Sequence, residues 1–320
     1  MALPPEFALI ARHFRPLAGE GALDLSDDAA LLSPPPGRQL VLAADAMVEG
    51  VHYLPDDPPE TIGRKLLRVN LSDLAAMGAE PLAYLMTTAL PRGTSAEWLE
   101  GFAAGLAQDQ RDFGLQVLGG DTVSIPGPAC LSLTIIGTVP PGEALRRAGA
   151  RPADDLWVSG TIGDGALGLA VLQGRLPADP HLARRYRLPE PRLALGTALR
   201  GVARAAMDVS DGLVQDLGHL CRAGKVGAVL ELAALPLSPS AAAVVEGDPS
   251  WLPRLATGGD DYELLFAAAP EDAARVREAS RAAGTSVTRI GRFTDGAAEV
   301  TLLGRDGGTL TPAQGGWSHF

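Results

Sequence analysis

Along the chain, apolar and polar positions alternate between a helical and a strand period. Residues 6–14 predict a short helix. Residues 59–77 carry Ile62, Leu66 and Val69 at three- and four-residue spacing, the stripe of an amphipathic helix, and 96–113 repeat that period. Apolar runs of strand length occupy 39–44, 82–90 and 130–139, and 29–32 predict one more short strand before the turn Pro34-Pro35-Pro36-Gly37. The pattern breaks at Pro140-Pro141-Gly142 and a linker-like 148–152, then restarts. Strands are expected over 155–159, 205–209, 226–232, 262–268, 287–291 and 299–303, and helices over 164–173, 192–204, 213–221 and 271–283.

The mixture predicts an α/β (α+β) protein of two domains, divided near 1–145 and 146–320. The strands of the first half do not read as a doubly wound sheet. They suggest one face of a larger sheet, whose open edge invites a second copy of the chain. The 320 residues are enough for two cores, and 46% of them are apolar. A net charge of −11 argues against nucleic acid as a partner, which requires a basic surface. Cys130 and Cys221 are far apart and form no C-x-x-C pair, so both read as inert thiols of a reducing compartment. The opening residues lack the basic and apolar regions of a leader, and the apolar run at 130–139 is too short to span a bilayer. A cytoplasmic protein with no membrane partner is the expectation.

Candidate chemistry lies in the aspartates. Asp27-Asp28, Asp45, Asp73, Asp121, Asp208 and Asp211 recur in short Gly- or Asn-containing runs read here as turns. They are too many for one acid–base pair and suit several hard cations, which take oxygen ligands and commonly serve phosphates. Singly, each has a plainer reading as a turn former or a helix cap. Gly160-Thr161-Ile162-Gly163-Asp164-Gly165 follows a strand and opens a helix, but its glycine spacing is wrong for a dinucleotide fingerprint. It reads as a corner offering backbone amides near a phosphate. No Walker loop, protein-kinase set or G-x-S-x-G elbow is present, and covalent catalysis has no candidate nucleophile.

Asp27-Asp28-Ala29-Ala30-Leu31-Leu32, Asp45 with Gly50-Val51-His52-Tyr53, the run from Val69 to Ala79 and Gly119-Gly120-Asp121-Thr122 come in order in the first half. Asp208-Val209-Ser210-Asp211-Gly212-Leu213, Gly258-Gly259-Asp260-Asp261-Tyr262-Glu263-Leu264 and the closing Gly316-Trp317-Ser318-His319-Phe320 follow in the second. Together they closely resemble the thiamine-monophosphate kinases, members of the ATP-binding superfamily of aminoimidazole ribonucleotide synthetase. The resemblance implies that superfamily's fold: an N-terminal sheet domain that dimerises, carrying ATP and metal ligands, and a C-terminal α/β domain completing the nucleotide and substrate site. It implies ATP-dependent phosphorylation of thiamine monophosphate with several Mg²⁺ ions, in a homodimer. Metal ligands are implied at Asp28, Asp45, Asp73, Asp121, Asp208 and Asp211. ATP contacts are implied at Gly120, Asp121, Arg147 and Ser210, and substrate contacts at His52, Asp260 and Trp317. The chemistry agrees, since a guanidinium forks onto phosphate and an indole face suits a cationic thiazolium. Where the family usually carries hydroxyls before the second aspartate, this chain has Ala43 and Ala44. Another enzyme of the superfamily, or a nucleotide-binding regulator without catalysis, are the alternatives.

Overall fold

The computed structural model describes residues 5–312 and 315–318. His319 and Phe320, part of the closing run, lie outside the described residues. The chain divides into two compact units, Met1–Leu74 with Glu80–Pro141, and Ala75–Ala79 with Gly142–Phe320.

The first unit begins with α1 (Pro5–Leu9), continued by a single π turn. It then holds β1 (Gln39–Val48), α2 (Pro59–Ala76), β2 (Glu80–Pro91), α3 (Ala96–Phe113), β3 (Gln116–Ile125) and β4 (Cys130–Val139). α3 has clear start and stop signals. Ser95 caps it by accepting the Trp98 amide, and Gly114 ends it in the left-handed region at φ 68°. The strands form one sheet in the order β1-β4-β2-β3, so β1 and β3 are its edges. One face is packed by α2: a Cβ at Gly137 of β4 would lie 2.9 Å from the Leu74 methyls. α3 lies close on α2, where a Cβ at Gly105 would meet the Glu60 carbonyl at 2.0 Å. Period-2 alternation puts Leu131, Leu133 and Ile135 of β4 on that covered face, all fully buried. The other face carries Leu40, Leu42, Leu85 and Val123, which are exposed.

Two expectations fail here. Residues 29–32 form no strand, although Ala30 and Leu32 pack on Ala83, Leu118 and Ile136. Their apolar character reflects burial without a ladder. Gly119-Gly120-Asp121 is the middle of strand β3, not a turn. A Cβ at Gly120 would lie 1.7 Å from the Met86 carbonyl, so glycine permits the close approach of β2.

The second unit holds β5 (Asp155–Ser159), α4 (Asp164–Leu172), α5 (Pro180–Arg187), α6 (Leu193–Ala198), β6 (Ala205–Val209), α7 (Leu213–Gly224) and β7 (Gly227–Glu231). It continues with α8 (Pro239–Gly247), α9 (Trp251–Leu255), β8 (Glu263–Ala268), α10 (Ala273–Ala283), β9 (Val287–Thr294), β10 (Val300–Leu303) and β11 (Thr309–Leu310). Its sheet runs β11-β10-β7-β9-β5-β8-β6, antiparallel except for the parallel β10–β7 pair. Both faces are covered. Leu265 and Ala267 join the core with Leu167, Leu217 and Leu220, while Leu264, Phe266 and Ala268 face a second core with Leu195, Leu199 and Val276. That double burial explains why β8 reads as one continuous apolar run. The helix expected over 192–204 is only the short α6, and α5, α8 and α9 were not anticipated. Among the described residues no helix is long and apolar enough to cross a membrane.

Candidate active site

In the first unit the sheet register sorts the expected ligands into two groups. Thr87 pairs with both Ser132 and Asp121, and Ser132 pairs with Ala46, so these side chains share the open face. Asp121 projects there from edge strand β3. With Asp27, Asp28, Gly120 and Ser132 it lines a cavity of about 760 Å³ beneath the N-terminal segment. Asp45 lies one residue out of that row, paired with buried Leu133, and so points to the helix-covered face. There its backbone N–H donates to Asn70 Oδ1 at 3.2 Å. Asn70 is fully buried and its amide donates to the Leu66 carbonyl, which fixes its orientation on α2. Asp73 follows one turn later on the same helix, so Asn70 links Asp45 to the Asp73 side of α2. Asp27 and Asp28 lie in a bend, Asp45 and Asp121 lie within strands and not in turns, and Asp73 lies within the helix expected over 59–77.

His52 is held at the end of β1, accepting the Val48 N–H on Nδ1 at 3.0 Å. Lys65, buried on α2, donates to the His52 carbonyl at 2.9 Å, so the loop is fixed from below.

In the second unit the turn after β6 organises everything around it. Asp208 is a buried side chain one residue before the end of the strand, and Gly212, at φ 125°, leads into α7. The turn's three amides, from Ser210, Asp211 and Gly212, all donate to Asp216 Oδ2 at 3.1 Å. Its carbonyls bind outward. Val209 accepts the Tyr262 N–H, Ser210 the Asp260 N–H and Asp211 the Trp317 N–H, at 2.8 to 2.9 Å. The expected metal and nucleotide residues Asp208, Ser210 and Asp211 are thereby joined through the backbone to the expected substrate residues Asp260 and Trp317.

The Asp260 loop is braced from its other side as well. Asp260 and Tyr262 both sit at positive φ, 68° and 53°, a conformation that costs non-glycine residues free energy and needs support. Asp261 is fully buried and accepts the Gly163 and Gly165 N–H groups at the start of α4. Those amides are therefore occupied by a carboxylate of the chain, and the expectation that they face a phosphate is corrected. Glu263, also fully buried, pairs with Arg185 and Arg192 and accepts the Ser159 hydroxyl at 2.6 Å. At Gly160, φ 54°, a Cβ would lie 2.1 Å from Glu263 Oε1.

Charge is crowded at the turn. Burial first, then the neighbouring charges of Asp208 and Asp211, push the Asp216 carboxyl from 3.8 up to about 8, against the pull of its amide donors. Burial pushes Asp261 well above the ordinary aspartate range too. His219 on α7 is lowered by burial and by the charges of Arg222 and Arg147, with Asp211 opposing. Arg147 and Asp211 thus both lie within electrostatic reach of His219. Among the described residues no three or more His, Cys, Asp or Glu side chains are gathered as a metal-binding group.

Two family models match the chain: AIR synthase related protein, N-terminal domain, over 26–139, and AIR synthase related protein, C-terminal domain, over 151–303. A thiamine-monophosphate kinase of Caulobacter vibrioides is 47% identical over 99% of this chain and 92% of its own length. The chain belongs to the thiamine-monophosphate kinase family. The family's crystal structure from Stenotrophomonas maltophilia K279a superposes with a TM-score of 0.83 at 41% identity, covering 95% of this chain and 97% of that one. AaThiL complexed with AMPPCP and TMP matches with a TM-score of 0.79 at 30% identity, over 100% and 99% of the two chains.

Against the family motifs, Asp216 and the set Asp261, Glu263, Arg185 and Arg192 are the residues that sequence reasoning missed. Asp261 and Glu263 stand inside a quoted motif, but only the fold shows what they bind. For Asp216 the available signal is an acid four residues past Gly212, in the first turn of a predicted helix.

Proposed function

We propose that this chain phosphorylates thiamine monophosphate with ATP, giving thiamine diphosphate and ADP. The observation that carries this is the Asp208–Gly212 turn. There Ser210 and Asp211, expected on the nucleotide and metal side, accept backbone hydrogen bonds from Asp260 and Trp317, expected on the acceptor side. Full-length likeness to AaThiL, complexed with AMPPCP and TMP, supplies the donor and the acceptor.

The donor set fits a hard divalent cation. The charges of Asp208 and Asp211 add to the burial that raises the neighbouring Asp216, and the expected ligands all offer oxygen. Asp28, Asp45, Asp73, Asp121, Asp208 and Asp211 would hold Mg²⁺. Bound there, the ions supply neutralisation of the donor and acceptor phosphates. Gly120, Asp121, Arg147 and Ser210 then serve the nucleotide, with Arg147 forking onto phosphate oxygens. His52, Asp260 and Trp317 serve the acceptor. The acceptor is itself a phosphate, already nucleophilic at neutral pH, so the chain needs to position it and need not deprotonate it. Transfer is direct and in line. Cys221 is buried with its thiol pushed up to about 11, which leaves it neutral and unsuited to attack.

A homodimer belongs to the same reading. Leu40, Leu42, Leu85 and Val123 leave an apolar strip on the open sheet face, and β1 and β3 are edge strands there. Residues 1–145 would form the dimerising, ATP- and metal-binding domain and 146–320 the domain completing the site, acting in the cytoplasm where ATP is held. Incubating the protein with ATP, Mg²⁺ and thiamine monophosphate tests the function. Thiamine diphosphate is the expected product. Nucleotide binding without transfer would point to the regulator, and transfer only to another acceptor would point to a different enzyme of the superfamily.

A further inference from the structure

Trp317 is attached to the Asp208–Gly212 turn at two points. Its N–H donates to the Asp211 carbonyl at 2.8 Å, and its carbonyl accepts Gln215 Nε2 at 2.6 Å. The same Gln215 amide reaches Asp211 Oδ2 at 3.4 Å. One side chain, in the first turn of α7, therefore joins the backbone of Trp317 to the carboxylate of Asp211. The segment is shaped for this seat. A Cβ at Gly316 would lie 2.6 Å from Gln215 Cβ and 2.7 Å from the Asp211 carbonyl, so the chain can lie this close only as glycine. The indole itself is half-exposed, so the seat fixes the backbone while leaving ring surface open to a ligand.

We propose that Gln215 is a positioning residue for the acceptor: its amide seats the Gly315–Ser318 segment on the nucleotide-side turn and so sets where Trp317 stands. The inference rests on the reading of Trp317 as an acceptor contact. It adds that the contact is built from α7 and is registered to Asp211, so the acceptor is placed relative to the carboxylate expected to hold metal. Orientation of this kind acts on acceptor use far more than on ATP binding.

The test uses the full chain. Gln215→Ala retains α7, since alanine is the better helix former. Gln215→Glu sets a carboxylate beside the Asp211 carboxylate and the Trp317 carbonyl, three acceptors with no donor among them. Gly316→Ala lifts the segment from the other side. In all three, kcat/KM for thiamine monophosphate should fall about tenfold, the equivalent of one lost hydrogen bond of about 1.4 kcal/mol. KM for ATP should stay within about twofold in Gln215→Ala and Gly316→Ala, which add no charge beside Asp211. Hydrogen exchange at the Trp317 amide should accelerate in each variant, a readout that needs no turnover. An unchanged acceptor kcat/KM, an equal loss toward ATP in Gln215→Ala or Gly316→Ala, or unaltered exchange at Trp317 overturns the proposal. A wild-type protein that does not phosphorylate thiamine monophosphate sinks the functional reading instead, and the exchange experiment still decides whether Gln215 seats the segment.

Discussion

Asp216 should make the protein less stable as pH rises, and Asp216→Asn should remove that dependence. The three amides of the turn converge on one carboxylate oxygen, which favours the charged form, but burial and two acidic neighbours outweigh them. Without bound cation the folded chain holds a proton on Asp216 up to about pH 8, whereas an ordinary aspartate has lost it above 3.8. An acid whose folded value is raised contributes its full stability below the unfolded value. It loses that contribution as pH climbs toward the folded one, at about 1.36 kcal/mol per pH unit. Asparagine presents a carbonyl oxygen to the same three N–H groups and does not titrate. Urea unfolding of both proteins in chelator, at pH 5.5, 6.5 and 7.5, isolates the residue, because every other titrating group is shared. The wild-type stability minus that of the variant should fall by about 3 kcal/mol over those two units. Added Mg²⁺ should flatten the wild-type dependence, since charge beside Asp208 and Asp211 relieves the repulsion that raises their neighbour. Parallel pH profiles for the two proteins in chelator would refute the claim that these three carboxylates are crowded.

Three further outcomes follow from the geometry. Glu263→Ala strands two arginines, one of them buried, and should cost about 3–5 kcal/mol in urea unfolding; a loss below about 1 kcal/mol would mean that solvent reaches the network. Gly160→Ala and Gly114→Ala both place a side chain at positive φ. At Gly114 nothing lies within 4 Å and about 1 kcal/mol is expected, whereas at Gly160 the methyl meets the Glu263 carboxylate, so thermal melts should show at least twice that loss. Asp73→Asn and Asp121→Asn should each lower turnover by orders of magnitude with unchanged melting temperature; near-normal activity in both would remove them from the metal set.

How far the sequence speaks for itself depends on whether local chemistry or distant packing decides an element. α3 matches the span expected from its apolar period, and its two ends are set locally, by Ser95 and Gly114. β3 was lost because two glycines resemble a turn, while their reason for being there is a neighbouring strand more than thirty positions away in the chain. The segment 29–32 was overcalled for the opposite reason. Apolar character reports burial, and burial does not require a hydrogen-bonded partner. α5, α8 and α9 are short, and few turns of periodicity separate them from loops.

The aspartates show the same limit at the candidate site. As letters in a motif they are equivalent, and the sequence could only group them. The fold gives them different work. Asp121 and Asp45 leave the sheet on opposite faces and from opposite edge strands, so within one chain they belong to separate neighbourhoods. Asp208 and Asp211 are presented by a turn whose shape a third acid, Asp216, imposes from beneath. Asp261 points inward to the α4 amides while its neighbour Asp260 is held at positive φ. Presenting a charge and supporting the loop that presents it call for the same side chain, so composition and spacing cannot separate the two. What separates them is which backbone N–H groups each carboxylate has already taken. A carboxylate engaged by amides of its own chain, as Asp216 and Asp261 are, serves as framework, and the neighbours it holds in place are the ones proposed to meet the ligand.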